Sequence, residues 1–195
     1  SVLSWQVETS FIGGRGGSGG ALHAAESSVS WEGNTVFCDN TTDIRGGALY
    51  IVQSSTVSGT GETQFCHSRA GVEFDIGVGG AVHVDNSAIV LNGSTTFNGN
   101  HARTGGAVYG TEGATLDWNE TTAFTHNSAA VGGALHAEGG TVMRLGGEIT
   151  FTENTASENG GACALGGELT LYLTAAGTNL SFTGNNANIA GGAVY

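Results

Sequence analysis

The chain has 195 residues, of which 35 are glycine and none is proline, and charged residues make up 11% of it. Seventeen acidic residues against five arginines and no lysine give a net charge of −12, which repels phosphate backbones and excludes nucleic acid as the expected partner. No run approaches the roughly 20 apolar residues of a membrane-spanning helix, so we expect no membrane insertion by this segment.

One pattern then repeats along the chain. An apolar pair spaced by two residues, such as Leu3 and Trp5, is followed six residues later by a single Phe and then by Gly-Gly-Ala before Leu, Val or Cys. The phenylalanines are Phe11, Phe37, Phe65, Phe97, Phe124, Phe151 and Phe182, and the triplets begin at Gly19, Gly46, Gly79, Gly105, Gly132, Gly160 and Gly191. A repeat of roughly 27 residues predicts a solenoid.

Each repeat predicts three short strands and no helix. In one repeat these are Ala107 to Tyr109, Leu116 to Trp118 and Thr122 to Phe124, separated by Gly, Asn and Ser turns. Strands this short satisfy their backbone groups by pairing with the neighbouring repeats. The sequence therefore predicts an all-β fold, a right-handed parallel β-helix of about seven coils, as one domain over residues 1–195.

Stacked coils turn every repeat position into a column. The phenylalanines are expected to point inward as one aromatic column, and Thr35, Thr63, Thr95 and Thr122 should point inward beside them. Three residues after each Phe lie Asn40, Ser68, Asn100, Asn127, Asn154 and Asn185. Amides at a tight bend can bond to their copies above and below, so this column is expected to be structural.

The repeated sequence pattern resembles that of a known family of surface proteins. Phe97 to Asn100 with Gly105 to Val108, and Phe124 to Asn127 with Gly132 to Leu135, are similar to the repeats of chlamydial polymorphic outer membrane protein passengers. The resemblance implies surface display, adhesion and, in some members, assembly into oligomers, with no catalytic residues to carry over. Gly14, Ser68 and Cys163 depart from the pattern.

The sequence offers no pattern of catalytic or metal-binding residues. Enzymes with this architecture need clustered carboxylates or a calcium site with a basic residue on adjacent coils, and we find no such density. The three histidines of the Gly-Gly-Ala strands, His23, His83 and His136, are not on adjacent coils, which argues against a shared metal. We therefore expect no enzymatic activity, no cofactor and no metal.

Two kinds of side chain, cysteine and asparagine, are candidates for covalent chemistry. Cys38 and Cys66 follow the repeat Phe one repeat apart, which is compatible with a disulfide or with two free thiols, and Cys163 has no obvious mate. Asn92, Asn119 and Asn179 begin glycosylation acceptor patterns, and modification depends on the source of the chain.

Two surface features are candidates for partner contact. The outward position of the Gly-Gly-Ala strand predicts a ring ladder on the surface, which either binds sugars or another rod, or simply covers the sheet; it consists of His23, Tyr50, His83, Tyr109, His136 and Tyr195. An insertion between Arg69 and Val78 carries Glu73, Phe74 and Asp75, which is either a partner loop or tolerated length.

These features favour an extracellular or cell-surface structural or adhesive protein. Its expected partners are other surface proteins, glycans, or further copies stacked end to end in a filament, unless the rod continues in flanking sequence. The alternative is a carbohydrate-binding or carbohydrate-processing β-helix. An ice-binding rod is a third hypothesis, for which Thr150 and Thr152 supply one outward Thr-x-Thr row.

Overall fold

A computed structural model describes residues 1–72, 76–174 and 177–195. These residues form short parallel strands and no helix, so none of them belongs to a helix capable of crossing a membrane. The strands of successive coils pair into sheets that run along the rod, two of which contain seven strands each. The predicted parallel β-helix of about seven coils is confirmed, whereas its right hand stays a prediction.

Sheet A contains the apolar pairs. Its seven strands, in spatial order, are β1 (Val2–Trp5), β5 (Ser28–Trp31), β9 (Thr56–Gly59), β13 (Ala88–Leu91), β16 (Thr115–Trp118), β20 (Thr141–Leu145) and β24 (Leu169–Leu173). Sheet B contains the phenylalanines, in β2 (Thr9–Ile12), β6 (Thr35–Cys38), β10 (Thr63–Cys66), β14 (Thr95–Asn98), β17 (Thr122–Thr125), β21 (Glu148–Thr152) and β25 (Asn179–Thr183). Both sheets pair residue against equivalent residue, as the repeat alignment requires.

Sheet D contains the strands that follow Gly-Gly-Ala. They are β4 (Leu22–Ala25), β8 (Leu49–Val52), β12 (Val82–Asp85), β15 (Val108–Thr111), β19 (Leu135–Ala137) and β23 (Cys163–Leu165). The strands of sheets A, B and D correspond to the three strands predicted for each repeat.

A fourth sheet adds to the prediction. Sheet C has one part with β3 (Arg15–Ser18), β7 (Thr41–Arg45) and β11 (Arg69–Ala70), and another with β18 (Ser128–Val131), β22 (Thr155–Asn159) and β26 (Asn186–Ala187). Single bridges from His101 to Arg69 and to Ser128 join the two parts. Its inward residues are small, such as Ala102, Ala129 and Ala156, so no large apolar residue indicated these strands.

The phenylalanines form the predicted internal column. Successive rings from Phe11 to Phe182 are stacked with centroids 4.6 to 5.1 Å apart and planes within 9° of parallel. Four of them, Phe37, Phe65, Phe97 and Phe124, are fully buried. This column is part of the single hydrophobic core cluster and shows which side chains of sheet B face inward and which face out.

The asparagine column closes the bend after sheet B. The Asn127 side chain donates to the Phe97 carbonyl at 3.0 Å and to Asn154 Oδ1 at 3.0 Å. Its own Oδ1 accepts from the backbone and side-chain amides of Asn100 at 2.9 and 3.0 Å. Asn127 is fully buried. Its bonds give hydrogen-bond partners to buried backbone groups that can no longer bond to water.

The first glycine of each Gly-Gly-Ala triplet occupies a conformation that other residues rarely adopt. Gly46 has φ of 56°, and a Cβ there would lie 1.9 Å from the Leu49 carbonyl oxygen. The second glycine, Gly47, faces the next coil, where a Cβ would lie 1.9 Å from the Gly80 oxygen. The triplet therefore permits a sharp corner and close contact between coils.

Candidate functional site

The ring ladder exists on sheet D as a continuous stack over five coils. Ring centroids from His23 through Tyr50, His83 and Tyr109 to His136 are 4.8 to 5.4 Å apart, with planes tilted by 33 to 55°. Ala164 pairs with His136 in the next coil and interrupts the stack. Tyr195 lies beyond that gap and is 60% exposed.

The middle of this ladder is not an open surface. His83 is 3% exposed and Tyr50 is 9% exposed, whereas His23 at the end is exposed. Because each inner ring packs between two others, little of its surface is open to solvent. A sugar stacks on a ring face, so the geometry favours the alternative that these rings cover the sheet.

Burial controls the chemistry of His83. Neither of its ring nitrogens has a hydrogen-bond partner among the described residues, and burial, with a smaller contribution from Arg45, lowers the pKa of His83 to about 3. His83 is therefore neutral at physiological pH. An unpaired buried imidazole costs free energy that the ring contacts have to offset.

The far end of the ladder is a polar cluster of three side chains. The Tyr109 hydroxyl donates to the Glu138 carboxylate, and His136 Nε2 lies 3.4 Å from Glu138 Oε2. Burial, followed by the bond to Glu138, raises the pKa of Tyr109 to about 12, and the same bond lowers the pKa of Glu138. Burial lowers the pKa of His136. These shifts keep Tyr109 protonated and Glu138 ionised, so the cluster is a fixed polar contact.

The cysteines are placed as in-register neighbours on sheet B. Cys38 and Cys66 form a disulfide with their Cα atoms 4.5 Å apart, which is the first of the two alternatives raised by the sequence. Cys163 is a buried free thiol whose pKa is raised by burial.

The glycosylation candidates lie at exposed positions. Asn92 and Asn119 are neighbours at the bend between sheets A and B, where Asn119 Nδ2 donates to Asn92 Oδ1 at 2.8 Å. Asn179 begins β25 and is exposed. A glycan on Asn119 would replace one hydrogen of the amide that makes this bond. Modification of all three remains a prediction.

The partner loop and the threonine rows of the ice-binding hypothesis have different outcomes. The partner loop Glu73, Phe74 and Asp75 lies outside the described residues. On sheet B, the outward positions that hold Thr150 and Thr152 in β21 hold Val36 and Cys38 in β6, so the threonine rows of an ice-binding face do not continue along the rod.

Sheet C presents a basic surface that was not predicted from the sequence. Arg15 and Arg69 both pair with Thr41, and Arg69 pairs with His101, so these side chains follow one another along a column. The signal was present in the repeat, because Arg15, Arg69 and His101 each lie four residues after a repeat Phe.

The same face is concave over the later coils. A groove of about 340 Å³ runs along the second part of sheet C and includes His101, Arg103, Ser128, Thr155, Ser157 and Asn186 in its walls. His101 Nδ1 lies 2.8 Å from Ser128 Oγ, and Arg103 pairs with Glu158 at 3.8 Å. Among the described residues, no three His, Cys, Asp or Glu side chains come together as a metal site.

Three parts of the chain match a family model described as the Chlamydia polymorphic membrane protein repeat, over residues 34–52, 94–111 and 148–165. Each match begins at or next to a strand of sheet B and ends in a strand of sheet D. These three segments are similar to that repeat. They contain the stacked Phe, the Asn of the bend and the Gly-Gly-Ala corner, so the matched features are those that build the coil.

The chain is also similar to a probable outer membrane protein, pmp6, of Chlamydia pneumoniae. The two are 36% identical over 86 residues, which are 43% of this chain and 6% of the relative. The likeness to this outer membrane protein supports the extracellular or cell-surface location expected from the sequence. No solved structure matches the chain at a significant level.

Proposed function

We propose that the protein is an adhesive β-helix of the cell surface, in which the polymorphic membrane protein repeat is the scaffold and the outward columns contact the partner. The observation that carries the proposal is the position of the matched residues. They lie in the core and at the bends, as with Phe37, Phe97 and Phe151, whereas the residues between them change from coil to coil.

The outward columns support this separation between a constant core and a variable surface. On sheet A, for example, the column that holds Ser30 and Ser58 in early coils holds Asp117 and Arg144 in later ones. A constant core with a varied outer surface lets one fold present different chemistry along its length. No catalytic role is part of the proposal, and end-to-end self-association remains a prediction.

The test uses beads coated with the purified chain. We expect saturable attachment to cultured epithelial cells, with beads carrying the unfolded and reduced chain as the control for non-specific adhesion. Equal attachment by both kinds of bead would contradict an adhesive function and leave a structural one.

A second candidate, a carbohydrate-binding β-helix, is favoured by the polar groove along sheet C. A glycan array tests for binding, and analysis of the glycans afterwards tests for processing. Bound glycans that are neither shortened nor modified would support a binding protein and not a carbohydrate-processing enzyme.

A further inference from the structure

The arginines are concentrated on one side of the rod. Arg15 lies in β3, Arg45 in β7 and Arg69 in β11, and Arg103 lies between the bridged residues His101 and Thr104. The fifth arginine, Arg144, is on sheet A, where it pairs with Asp117 at 3.3 Å. In a chain with seventeen acidic residues, four of five arginines on one sheet mark a distinct surface.

The exposed arginines of this surface follow the long axis. We call Arg15, Arg69 and Arg103 the arginine row; all three are exposed, as is Arg45, whose guanidinium lies over the Tyr50 ring of sheet D. Arg15 and Arg69 are two coils apart, or about 10 Å at the usual strand spacing of about 4.8 Å. Arg103 belongs to the next coil and lies two residues beyond His101, which holds the column position there, so the three cations are one or two coils apart along the axis. This arrangement fits a ligand with anionic groups repeated along its length.

The groove continues the arginine row in the same direction. After His101, the same column contains Ser128, Thr155 and Asn186, each paired to its predecessor in register. Hydroxyl and amide side chains can donate to and accept from the hydroxyl groups of a sugar. The face thus combines cations over its early coils with a polar, concave path over its later coils.

Nearby acidic groups limit the charge of this surface without cancelling it. Glu158 pairs with Arg103, but at 3.8 Å between side chains that are 42% and 52% exposed the pair is weak and open to exchange. Asp43 lies in β7. The described strands of sheet C contain no other acidic residue, and Asp39 and Glu153 lie at the bends that lead into β7 and β22.

We propose that the arginine row and the groove bind a linear acidic polysaccharide along the rod, a partner class that deepens the proposed adhesive function and rests on it. Its carboxylate or sulfate groups pair with the guanidinium groups of Arg15, Arg69 and Arg103, which bind planar or tetrahedral anions through paired N–H donors. Its hydroxyl groups bond to the side chains of the groove.

Other polyanions fit this face less well. Duplex DNA carries about one charge per 1.7 Å, far more than cations spaced by one or two coils can neutralise on an acidic protein. An anionic membrane is a flat surface, and the later part of this face is a groove. A chain of single sugars with one or two charges each matches both the spacing and the shape.

The experiment measures binding of the folded chain to defined oligosaccharides by calorimetry. The probes are a galacturonate octasaccharide, a heparin octasaccharide and neutral maltooctaose, with phosphatidylserine vesicles as a separate arm. We expect binding of at least one acidic probe, none of maltooctaose, and marked weakening between about 0.1 M and about 1 M NaCl, where the Debye length falls from about 10 Å to about 3 Å. The carboxylated and sulfated probes distinguish the two sources of negative charge.

Arg69→Gln is the test variant and Arg144→Gln is the matched control, because each removes one arginine and changes the net charge equally. We expect Arg69→Gln to weaken binding about tenfold, the loss of one charge-assisted contact, and Arg103→Gln to act likewise, while Arg144→Gln leaves binding unchanged. Thermal unfolding checks that all three variants fold.

The outcomes separate this inference from the adhesive function. Equal weakening by Arg69→Gln and Arg144→Gln, binding of vesicles alone, or no binding of either acidic probe overturns the acidic-polysaccharide site. Cell attachment that survives in the Arg69→Gln variant leaves adhesion standing without this site. Glycan binding by a chain that fails to attach to cells overturns the adhesive function and leaves the site intact.

Discussion

The early and late coils close the same bend by different means. From Asn100 to Asn185 the amides form an unbroken ladder, in which the buried Asn100, Asn127 and Asn154 each bond to the next coil. In the early coils Ser68 and Gly14 stand where asparagine would complete it, and Asn40 makes two side-chain bonds, to Phe11 and Gly14.

The disulfide lies where the ladder is interrupted. Ser68 cannot reach Asn40 as an amide would, and its hydroxyl donates to the Cys66 carbonyl instead. Cys38 and Cys66 join the same two coils covalently, two residues before the interrupted position. A repeat protein depends on its neighbour-to-neighbour contacts, so the comparison shows that a covalent link can occupy the place of a hydrogen-bonded one.

The largest expected effect comes from breaking the amide ladder. Asn127→Ala removes four hydrogen bonds and leaves the buried Phe97 carbonyl and Asn100 amide without partners, so we expect a loss of about 3 to 5 kcal/mol in unfolding free energy. Asn40→Ala removes two side-chain bonds and should cost about half as much. Urea unfolding of both variants measures the difference, and equal losses would show that the ladder is not cooperative.

The same elements show how much of the fold was predictable. Large apolar residues at period two predict the strands of sheets A and B, and the spacing from Phe to Asn predicts the bend after sheet B. The sheets and the bend could therefore be predicted from the sequence. Sheet C was missed because its inward side chains, such as Ala129 and Ala156, are too small to distinguish a strand from a polar loop.

The candidate site was less predictable than the fold. The column of rings was predicted because register follows from the repeat. The burial of His83 was not, because it depends on how closely Tyr50 and Tyr109 pack on either side. The arginine row depends on a column of sheet C that was not predicted to be a strand.

The second prediction concerns the covalent link of the early coils. The disulfide closes a segment with a sequence separation of 28, so chain entropy predicts about 3 to 4 kcal/mol of stabilisation. Replacing both cysteines, Cys38→Ser with Cys66→Ser, should lower stability by that amount without reductant. The unaltered chain should fall to the same value when reductant is added. A chain whose unfolding ignores reductant would have two free thiols there.

The third prediction uses acid to act on the coil where the ladder is interrupted, which also contains His83. The pKa of His83 in the folded chain is about 3, below the ordinary histidine pKa of 6.5, so the unfolded chain takes up the proton first. Protonation of His83 therefore leaves the free energy of unfolding unchanged above pH 6.5 and lowers it as the pH falls toward 3. At about pH 5 the expected loss is about 2 kcal/mol.

His83→Phe should abolish this part of the acid sensitivity. His23→Gln, at the exposed end of the same ladder, is the control and should leave the acid sensitivity in place. Thermal melts at several pH values measure both variants. If His83→Phe loses stability between pH 6.5 and 5 as steeply as the unaltered chain, His83 is not the group responsible.

The smallest expected effect reverses the comparison, because here the early coils have the hydrogen bond and the late coils lack it. Trp31 Nε1 donates to Thr63 Oγ1 at 2.9 Å, whereas Trp118 Nε1 is buried with no partner among the described residues. The reason is one substitution in the repeat: Ile149 occupies the inward position that threonine holds in earlier coils.

Trp31→Phe should therefore cost about 1 kcal/mol more than Trp118→Phe, because both lose similar apolar area and only the first loses a hydrogen bond. Ile149→Thr should then supply the missing acceptor, so that Trp118→Phe becomes as costly in that background as Trp31→Phe is in the native one. Urea midpoints for this double-mutant cycle measure the coupling directly. A coupling of zero would mean that Trp118 cannot reach the new hydroxyl, and that the late coils differ from the early ones in packing as well as in the identity of one side chain.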